Sequence, residues 1–161
     1  MKKLLSALIA FLFLFPLVGR GDSAEDLPIE PYNVFIGIEW GDDMQAVTTL
    51  FGHASVHKLL EVTYLDYRNV AFGDLQAYSC TFYFYEDKLT TIAFMFMLPE
   101  DTLYPSMCEA FTQELGEPAS VGDYEMVWLL PDETEVTVST DLHGNSVNLK
   151  FANASVLATD S

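Results

Sequence analysis

The stretch AYSCTFYFYEDKLTTIAFMFML, residues 77–98, consists of two alternating runs around a short polar break. A period of two residues predicts two β-strands, and Asp87-Lys88 predicts the hairpin turn that joins them. One face of this hairpin is expected to carry Cys80, Phe82, Phe84, Ile92, Phe94 and Phe96. The other face is expected to carry Thr81, Tyr83, Tyr85, Ala93, Met95 and Met97. Both faces are therefore apolar or aromatic. We expect one face to be covered by the helices, and the other by the chain itself, by a second copy or by a partner.

Two segments with helical spacing of apolar residues flank this hairpin. They are GDDMQAVTTLFG (41–52), with Asp42 as the expected N-cap, and DTLYPSMCEAFTQELGEP (101–118). Gly52 and Gly116 are the expected stops, and they lie 64 residues apart. Each helix is followed by three alternating runs, at 62–70, 77–86 and 89–98 and then at 124–131, 134–141 and 146–151.

The order of one helix and then three strands therefore occurs twice along the chain. We predict an α+β fold of two tandem helix-plus-antiparallel-sheet halves, with the helices packed on one face of the sheet. The first half is expected at 35–99 and the second at 100–152. An extended leader at 24–34 and a flexible tail at 153–161 are expected to flank them.

The entry to the first helix, FIGIEWGDDMQAVTTLFG (35–52), resembles the helix opening of small secreted α+β domains. It is similar to SmpA/OmlA-type envelope proteins and to β-lactamase-inhibitor-protein-like domains, in which two tandem helix-plus-sheet units form one long sheet. The resemblance implies protein–protein binding through a sheet face and no catalysis. The chain departs from this pattern because each half has one clear helix and three strands, and because no lipid-attachment cysteine follows the apolar N-terminal stretch.

The N-terminal stretch MKKLLSALIAFLFLFPLVG (1–19) has a basic start, an apolar core and small residues at its end. This is the layout of a secretory signal peptide, and the apolar core is shorter than the roughly 20 residues of a membrane-spanning helix. An uncleaved N-terminal anchor is the alternative. Cleavage after Gly21 or Ser23 fits the small-residue rule, and either cut destroys the adhesion tripeptide Arg20-Gly21-Asp22. We assign 1–23 to the signal peptide and predict an extracytoplasmic protein, secreted or in the periplasm or cell envelope, with no stable membrane span after cleavage.

The charge of the chain limits its partners. Its 161 residues include 7 basic and 24 acidic side chains, which give a formal net charge of −17. Removal of 1–23 takes away three basic residues and one acidic residue, and the net charge becomes −19. Such a surface repels nucleic acid and anionic lipid headgroups. We therefore expect no nucleic-acid binding and a protein partner, for which a basic protein is one candidate.

The residue types that usually carry chemistry form no recognisable constellation. Cys80 and Cys108 are the only cysteines, and they predict either a disulfide or two buried free thiols. His53 and His57 follow the first helix stop, where they are expected to be solvated, and no acidic cluster has the spacing of a strong calcium loop. Asn153-Ala154-Ser155 matches an N-glycosylation sequon. We predict no catalytic residue, cofactor or metal site, and a protein that is not an enzyme.

The second face of the central hairpin predicts the function. Tyrosine and methionine are enriched at the centres of protein interfaces. We expect one patch on this face, with Tyr64 or Tyr67 added from the preceding strand, made of Tyr83, Tyr85, Met95 and Met97. The alternative is that these side chains pack under a loop or under the other half. The patch predicts an exported, acidic, non-enzymatic binding module. The runner-up is an envelope protein that binds a small ligand or divalent cation in a cleft between the halves.

Overall fold

The computed structural model describes residues 37–160. The predicted signal peptide, the Arg20-Gly21-Asp22 tripeptide and the predicted leader at 24–34 lie outside these residues. Within 37–160, no helix is long and apolar enough to cross a membrane.

The described residues form two α-helices, eight β-strands and one 3₁₀ helix. Helix α1 spans Met44–Phe51, α2 spans Leu103–Leu115, and the 3₁₀ helix η1 spans Ser155–Asp160. The strands are β1 Ser55–Leu59, β2 Val62–Phe72, β3 Leu75–Tyr85, β4 Lys88–Met97, β5 Ser120–Val121, β6 Glu125–Leu129, β7 Glu135–Thr140 and β8 Ser146–Ala152.

Local sequence determines where the helices begin and end. The Asp43 carboxylate accepts a hydrogen bond from the Ala46 N–H at 2.8 Å, so Asp43 is the N-cap of α1 and the prediction of Asp42 is wrong by one residue. The helices stop at Gly52 and Gly116, whose φ angles are 80° and 86°. Glycine enters this left-handed region without steric cost, which is why both helices end there.

All eight strands belong to one antiparallel sheet in the order β1-β2-β3-β4-β8-β7-β6-β5. Strands β4 and β8 are direct neighbours, from Thr91 opposite Ala152 to Met97 opposite Ser146. One cluster of buried apolar side chains draws on strands from both sides of this pairing. The prediction of two tandem helix-plus-sheet halves of three strands each is therefore wrong. Period-two alternation locates strands, but it does not state which strands pair, and here β4 and β8 unite the chain into a single sheet.

The two strands that the sequence did not predict lie at the edges of the sheet. All five residues of β1 are exposed, and β5 has only two residues, both exposed. Each follows a helix stop, in the segments GHASV (52–56) and EPASV (117–121). An edge strand that buries neither face has no apolar alternation, so the periodicity that reveals the inner strands is missing.

Both α-helices pack on the same face of the sheet. The Phe51 ring of α1 stacks on Phe82 of β3 at a centroid distance of 5.5 Å, and the Phe111 ring of α2 lies 6.4 Å from Phe151 of β8. Phe82 is opposite Ile92, and Ile92 is in turn opposite Phe151, so these side chains share one face. No α-helix of the described chain packs on the other face, which only the short 3₁₀ helix η1 reaches; we call it the helix-free face because it carries no α-helix.

The segment predicted to be a flexible tail begins with a buried anchor. Asn153 is 3% exposed. Its side-chain amide donates to the Asp132 carbonyl oxygen at 2.8 Å and to Thr134 Oγ1 at 3.3 Å. Its Oδ1 accepts from the Ser155 N–H and hydroxyl at 3.0 and 2.6 Å. The sequon asparagine is therefore inaccessible to glycosylation in the folded protein, and the start of the tail is held against the β6–β7 connection.

Candidate interaction surface on the helix-free face

Three aromatic rings lie in a row across β1, β2 and β3 on the helix-free face. His57 is opposite Tyr64, and Tyr64 is opposite Tyr83. Their ring centroids are 5.0 Å apart for the first pair and 5.6 Å apart for the second. Tyr85 follows on the same face, and its phenol donates to the Glu61 carboxylate at 2.9 Å. We call His57, Tyr64, Tyr83 and Tyr85 the tyrosine face.

A groove of about 470 Å³ extends the tyrosine face toward β8. Its floor consists of the small side chains of Thr91, Ala93 and Ala152, which the pairing of β4 with β8 places close together. The two tyrosines of β3 and Leu157 of η1 also line it. We call this depression the sheet groove. Because small residues form its floor, the groove leaves room for a side chain of a partner.

Lys150 is the one basic side chain among the described residues that line the sheet groove, and acidic residues lie nearby. Lys150 lines the groove, and its Nζ lies 3.0 Å from the Glu135 carboxylate. The hydrogen bond from Lys150 lowers the pKa of Glu135, so this carboxylate is ionised at neutral pH. Beyond Tyr85, Glu86 and Asp87 form the exposed β3–β4 turn. The groove therefore has a largely apolar lining, while Glu61, Glu86 and Asp87 lie near Tyr85 together with Lys88, which is opposite Tyr85.

The phenols of Tyr83 and Tyr85 stay protonated at neutral pH. Burial raises the pKa of Tyr83, and the hydrogen bond to Glu61 raises the pKa of Tyr85. A neutral phenol offers an apolar ring together with a hydroxyl that can donate or accept a hydrogen bond. This combination is typical of the centre of a protein interface.

Tyr67, predicted as a possible member of the patch, lies on the opposite face of the sheet. It is 4% exposed, and its ring meets Phe51 and Phe82 edge-on at centroid distances of 6.3 and 5.7 Å. Its hydroxyl donates to the Gly52 carbonyl oxygen at 3.1 Å. An odd separation of three residues puts Tyr64 and Tyr67 on opposite faces of β2, so the inclusion of Tyr67 is wrong.

Burial of Tyr67 predicts a change in stability at alkaline pH. Burial raises its pKa from 10.0 to about 12. The folded state thus holds this proton more tightly than the unfolded state. The resulting stabilisation of the folded state is complete below pH 10 and is lost as the pH rises toward 12. We expect Tyr67→Phe to reduce the fall in the free energy of unfolding over this range, measured by urea titration. At pH 7 the lost hydrogen bond costs about 1 kcal/mol. Tyr78→Phe is the exposed control, and an unchanged alkaline profile in Tyr67→Phe would contradict this assignment.

Met95 and Met97 lie apart from the tyrosine face. Met95 is opposite Ser79, whereas Thr91 is opposite Tyr83. Four residues of β4 separate these positions, which corresponds to about 13 Å along the strand. Met95 is half-buried and Met97 is 48% exposed. The tyrosines and the methionines of the predicted single patch therefore lie toward opposite ends of the β3–β4 hairpin.

Cys80 and Cys108 are both buried and free, so the possible disulfide is not formed in this structure. Cys80 lies in β3 between Tyr67 and Phe94, whereas Cys108 belongs to α2, which packs on β8 through Phe111. Whether the two cysteines can form a disulfide thus depends on where α2 lies over the sheet, and sequence periodicity does not give that position. Burial raises the pKa of both thiols and keeps them in the protonated, weakly nucleophilic form.

A polar cleft of about 500 Å³ lies at the entry to α1. Two of its lining side chains are hydrogen-bonded to the neighbouring Thr134, because the Trp40 indole donates to Thr134 Oγ1 at 3.0 Å and the Asn153 amide donates to the same oxygen. His53 lies in the loop before β1 and is remote in sequence from this cleft. Across residues 37–160, no group of three or more His, Cys, Asp or Glu side chains could hold a metal ion.

Sequence reasoning missed His57, Lys150 and Leu157 as members of this surface. The alternation in SVNLKF (146–151) places Lys150 on the face opposite its apolar neighbours, so a signal for its orientation exists. No signal shows that β8 lies beside β4, with Lys150 opposite Ala93. The position of Leu157 depends on η1, which has no periodic pattern of its own.

Comparison with known proteins gives one family match. Residues 52–158 match the model of the TP0088 domain family, and this region holds all eight strands. No curated protein sequence matches the chain. Among solved structures, the chain is similar to an extracellular protein containing an SCP domain from Bacillus anthracis str. Ames, with a TM-score of 0.47 and 11% identity. The similarity covers 89% of this chain and 52% of that protein, so the chain spans about half its length.

Proposed function

Because this chain belongs to the TP0088 domain family, and its matched residues 52–158 contain the whole sheet, we propose that the sheet carries the function of the protein. The protein is an exported, acidic, non-enzymatic binding module that acts by protein–protein interaction through the helix-free face. The observation that carries this proposal is the row of rings of the tyrosine face, open beside the sheet groove.

The tyrosine face has the chemistry of an interface centre. Tyr64, Tyr83 and Tyr85 are half-buried, so their rings are held by neighbours while part of each remains accessible. Rigid aromatic side chains lose little conformational entropy when a partner covers them. The sheet groove beside them provides a pocket into which a partner side chain fits, and such anchored contacts dominate binding energy at interfaces.

The charge of the protein indicates the kind of partner. A net charge of −17 favours encounter with a basic protein. Glu61, Glu86 and Asp87 lie at the edge of the tyrosine face, where they can meet basic side chains of that partner. The proposed partner therefore presents an apolar side chain to the sheet groove and basic side chains to its rim.

The lining of the sheet groove supports binding rather than catalysis. Its described lining residues include no Asp, Glu, His, Cys or Ser, and Lys150 is paired with Glu135. A nucleophile with an adjacent base, or a pair of carboxylates, is the usual minimum for hydrolytic catalysis. The runner-up, binding of a small ligand or divalent cation, would use the polar cleft, which Glu39, Asp42 and Asp132 line, but within residues 37–160 no three such side chains are grouped to hold a metal ion.

The location of the protein follows from its predicted signal peptide. Export would place the acidic sheet outside the cytoplasm, in the cell envelope or the surrounding medium. The partner is accordingly an exported or envelope protein of the same organism, or an extracellular protein from its surroundings.

A capture experiment with matched variants tests this function. The purified protein, a Tyr83→Ala/Tyr85→Ala variant and a Tyr78→Ala variant are immobilised and exposed to secreted and envelope proteins of the source. Tyr78 is the control because it is a 47% exposed tyrosine on the same strand and does not line the sheet groove. We expect a partner that binds the wild type and Tyr78→Ala and is reduced about tenfold or more on the double variant. Equal capture by all three proteins, each shown to unfold cooperatively, would refute the assignment of the face.

A further inference from the structure

A second cleft, of about 300 Å³, lies at the other end of β8 from the sheet groove. We call it the end cleft. Tyr104 of α2, Tyr124 of the β5–β6 connection and Leu142 of the β7–β8 connection line it. Pro99 and Glu100, which connect β4 to α2, line it as well. The end cleft therefore lies where β4 ends and α2 begins.

The apolar side chains around the end cleft are open to solvent. Leu142 is 67% exposed and Tyr124 47%. Both side chains line the end cleft beside the partly buried ring of Tyr104. Contiguous exposed apolar surface of this kind marks an interaction site more often than it occurs by chance on a monomer.

The charges around the end cleft decide what can occupy it. Glu100, Asp101, Asp123 and Asp141 line it, and no Lys or Arg of the described chain does. Asp141 is engaged in its own turn, where its carboxylate accepts the N–H of His143 at 2.8 Å. The other three carboxylates belong to exposed residues. An occupant must therefore bring positive charge together with apolar surface.

We propose that the end cleft is a docking site for an extended, lysine- or arginine-bearing segment of a partner protein. The aliphatic stem of the basic side chain lies along the rings of Tyr104 and Tyr124, and its charged head reaches the free carboxylates. A neighbouring apolar side chain of the same segment covers Leu142. This inference goes beyond the proposed function, because the end cleft is separate from the tyrosine face and carries its own binding.

Charge also separates this occupant from a second copy of the chain. Another copy would bring a net charge of −17 to an acidic surface, and like charges at an interface oppose association. A short basic segment meets no such opposition. Such a segment carries both basic and apolar side chains because the cleft lining contains both carboxylates and apolar side chains.

A labelled hexapeptide of alternating lysine and leucine tests the proposal, with binding to the purified protein followed by fluorescence polarisation. Glu100→Gln/Asp123→Asn removes two charges from the end cleft, and Glu114→Gln/Glu117→Gln removes two exposed charges from the far end of α2. We expect the first variant to weaken binding about tenfold and the control less than twofold. Tyr124→Ser, which leaves the charge unchanged, is expected to weaken binding about fivefold.

Several outcomes would overturn the proposal. Equal weakening by the two charge-matched variants would show attraction by net charge alone. A wild-type protein that binds a serine–leucine hexapeptide as tightly as the lysine–leucine peptide would refute the role of the carboxylates. A dimer in sedimentation that dissociates in Glu100→Gln/Asp123→Asn would assign the cleft to a second copy. Should Tyr124→Ser not unfold cooperatively, the comparison of the two charge variants decides.

Discussion

Phe82→Ala is expected to lower the free energy of unfolding by about 3–5 kcal/mol. Phe82 is 1% exposed and lies between α1 and the centre of the sheet. Its ring stacks on Phe51 at 5.5 Å and meets Tyr67 edge-on at 5.7 Å. Truncation removes these contacts and leaves a cavity where the helix meets the sheet, because the surrounding strands can collapse only in part. Urea unfolding followed by circular dichroism measures the loss.

The adjacent residue provides the control for this prediction. Tyr83 is half-buried on the helix-free face, where its ring contacts Tyr64. Tyr83→Ala is expected to cost about 1–2 kcal/mol, because part of the ring is already in water. Similar losses at positions 82 and 83 would contradict the distinction between a core face and an accessible face.

Asn153→Ala is expected to lower the free energy of unfolding by about 2–3 kcal/mol. The substitution removes the donor to the Asp132 carbonyl oxygen and the acceptor of the Ser155 N–H. The Thr134 hydroxyl, which also accepts from the Trp40 indole at 3.0 Å, loses one of its partners. Because these groups are buried or partly buried, their lost hydrogen bonds are replaced poorly by water. The expected result is a lower urea midpoint and faster proteolysis at the C-terminal segment.

An exposed asparagine in a turn is the matched control for this network. Asn145 lies in the β7–β8 connection and is exposed. Asn145→Ala is expected to change the free energy of unfolding by no more than about 0.5 kcal/mol. If Asn153→Ala behaved in the same way, the anchor described for the C-terminal segment would be refuted.

Sequence alone located most elements of the fold. The runs at 77–86 and 89–98 correspond to β3 and β4, and the buried positions of β3 and β4 include Phe82, Phe84, Ile92 and Phe94, as alternation predicts. Gly52 ends α1 where a left-handed stop was expected. These features are local, since side-chain parity and backbone conformation are fixed within a few residues.

The arrangement of the strands could not be predicted in this way. Pairing of β4 with β8 joins residues 49 to 61 positions apart, and both strands carry the same apolar alternation as their other neighbours. From the sequence alone, either strand could lie at an edge of the sheet or pair with any of several other strands. The two-halves prediction failed on this point, and β1 and β5 were missed because they bury no face.

The candidate surface was predicted in part. The alternation of side chains between the two faces of a strand explains which residues were assigned correctly. Tyr83 and Tyr85 are two residues apart and share a face, whereas Tyr64 and Tyr67 are three apart and cannot. Parity does not report distance along a strand, so Met95 and Met97 were assigned to the same patch although the hairpin register places them toward its far end. The sheet groove needed both the β4–β8 pairing and the position of Leu157, which are properties of the folded chain.

The most direct measurement of the central claim is site-specific photo-crosslinking in cells of the source. A benzoylphenylalanine at position 83 probes the tyrosine face, and one at position 50 probes the helix-covered side, where Leu50 is 49% exposed. The account predicts a covalent adduct with an exported partner from position 83 and none from position 50. An adduct from position 50 with none from position 83 would contradict the assignment of binding to the helix-free face.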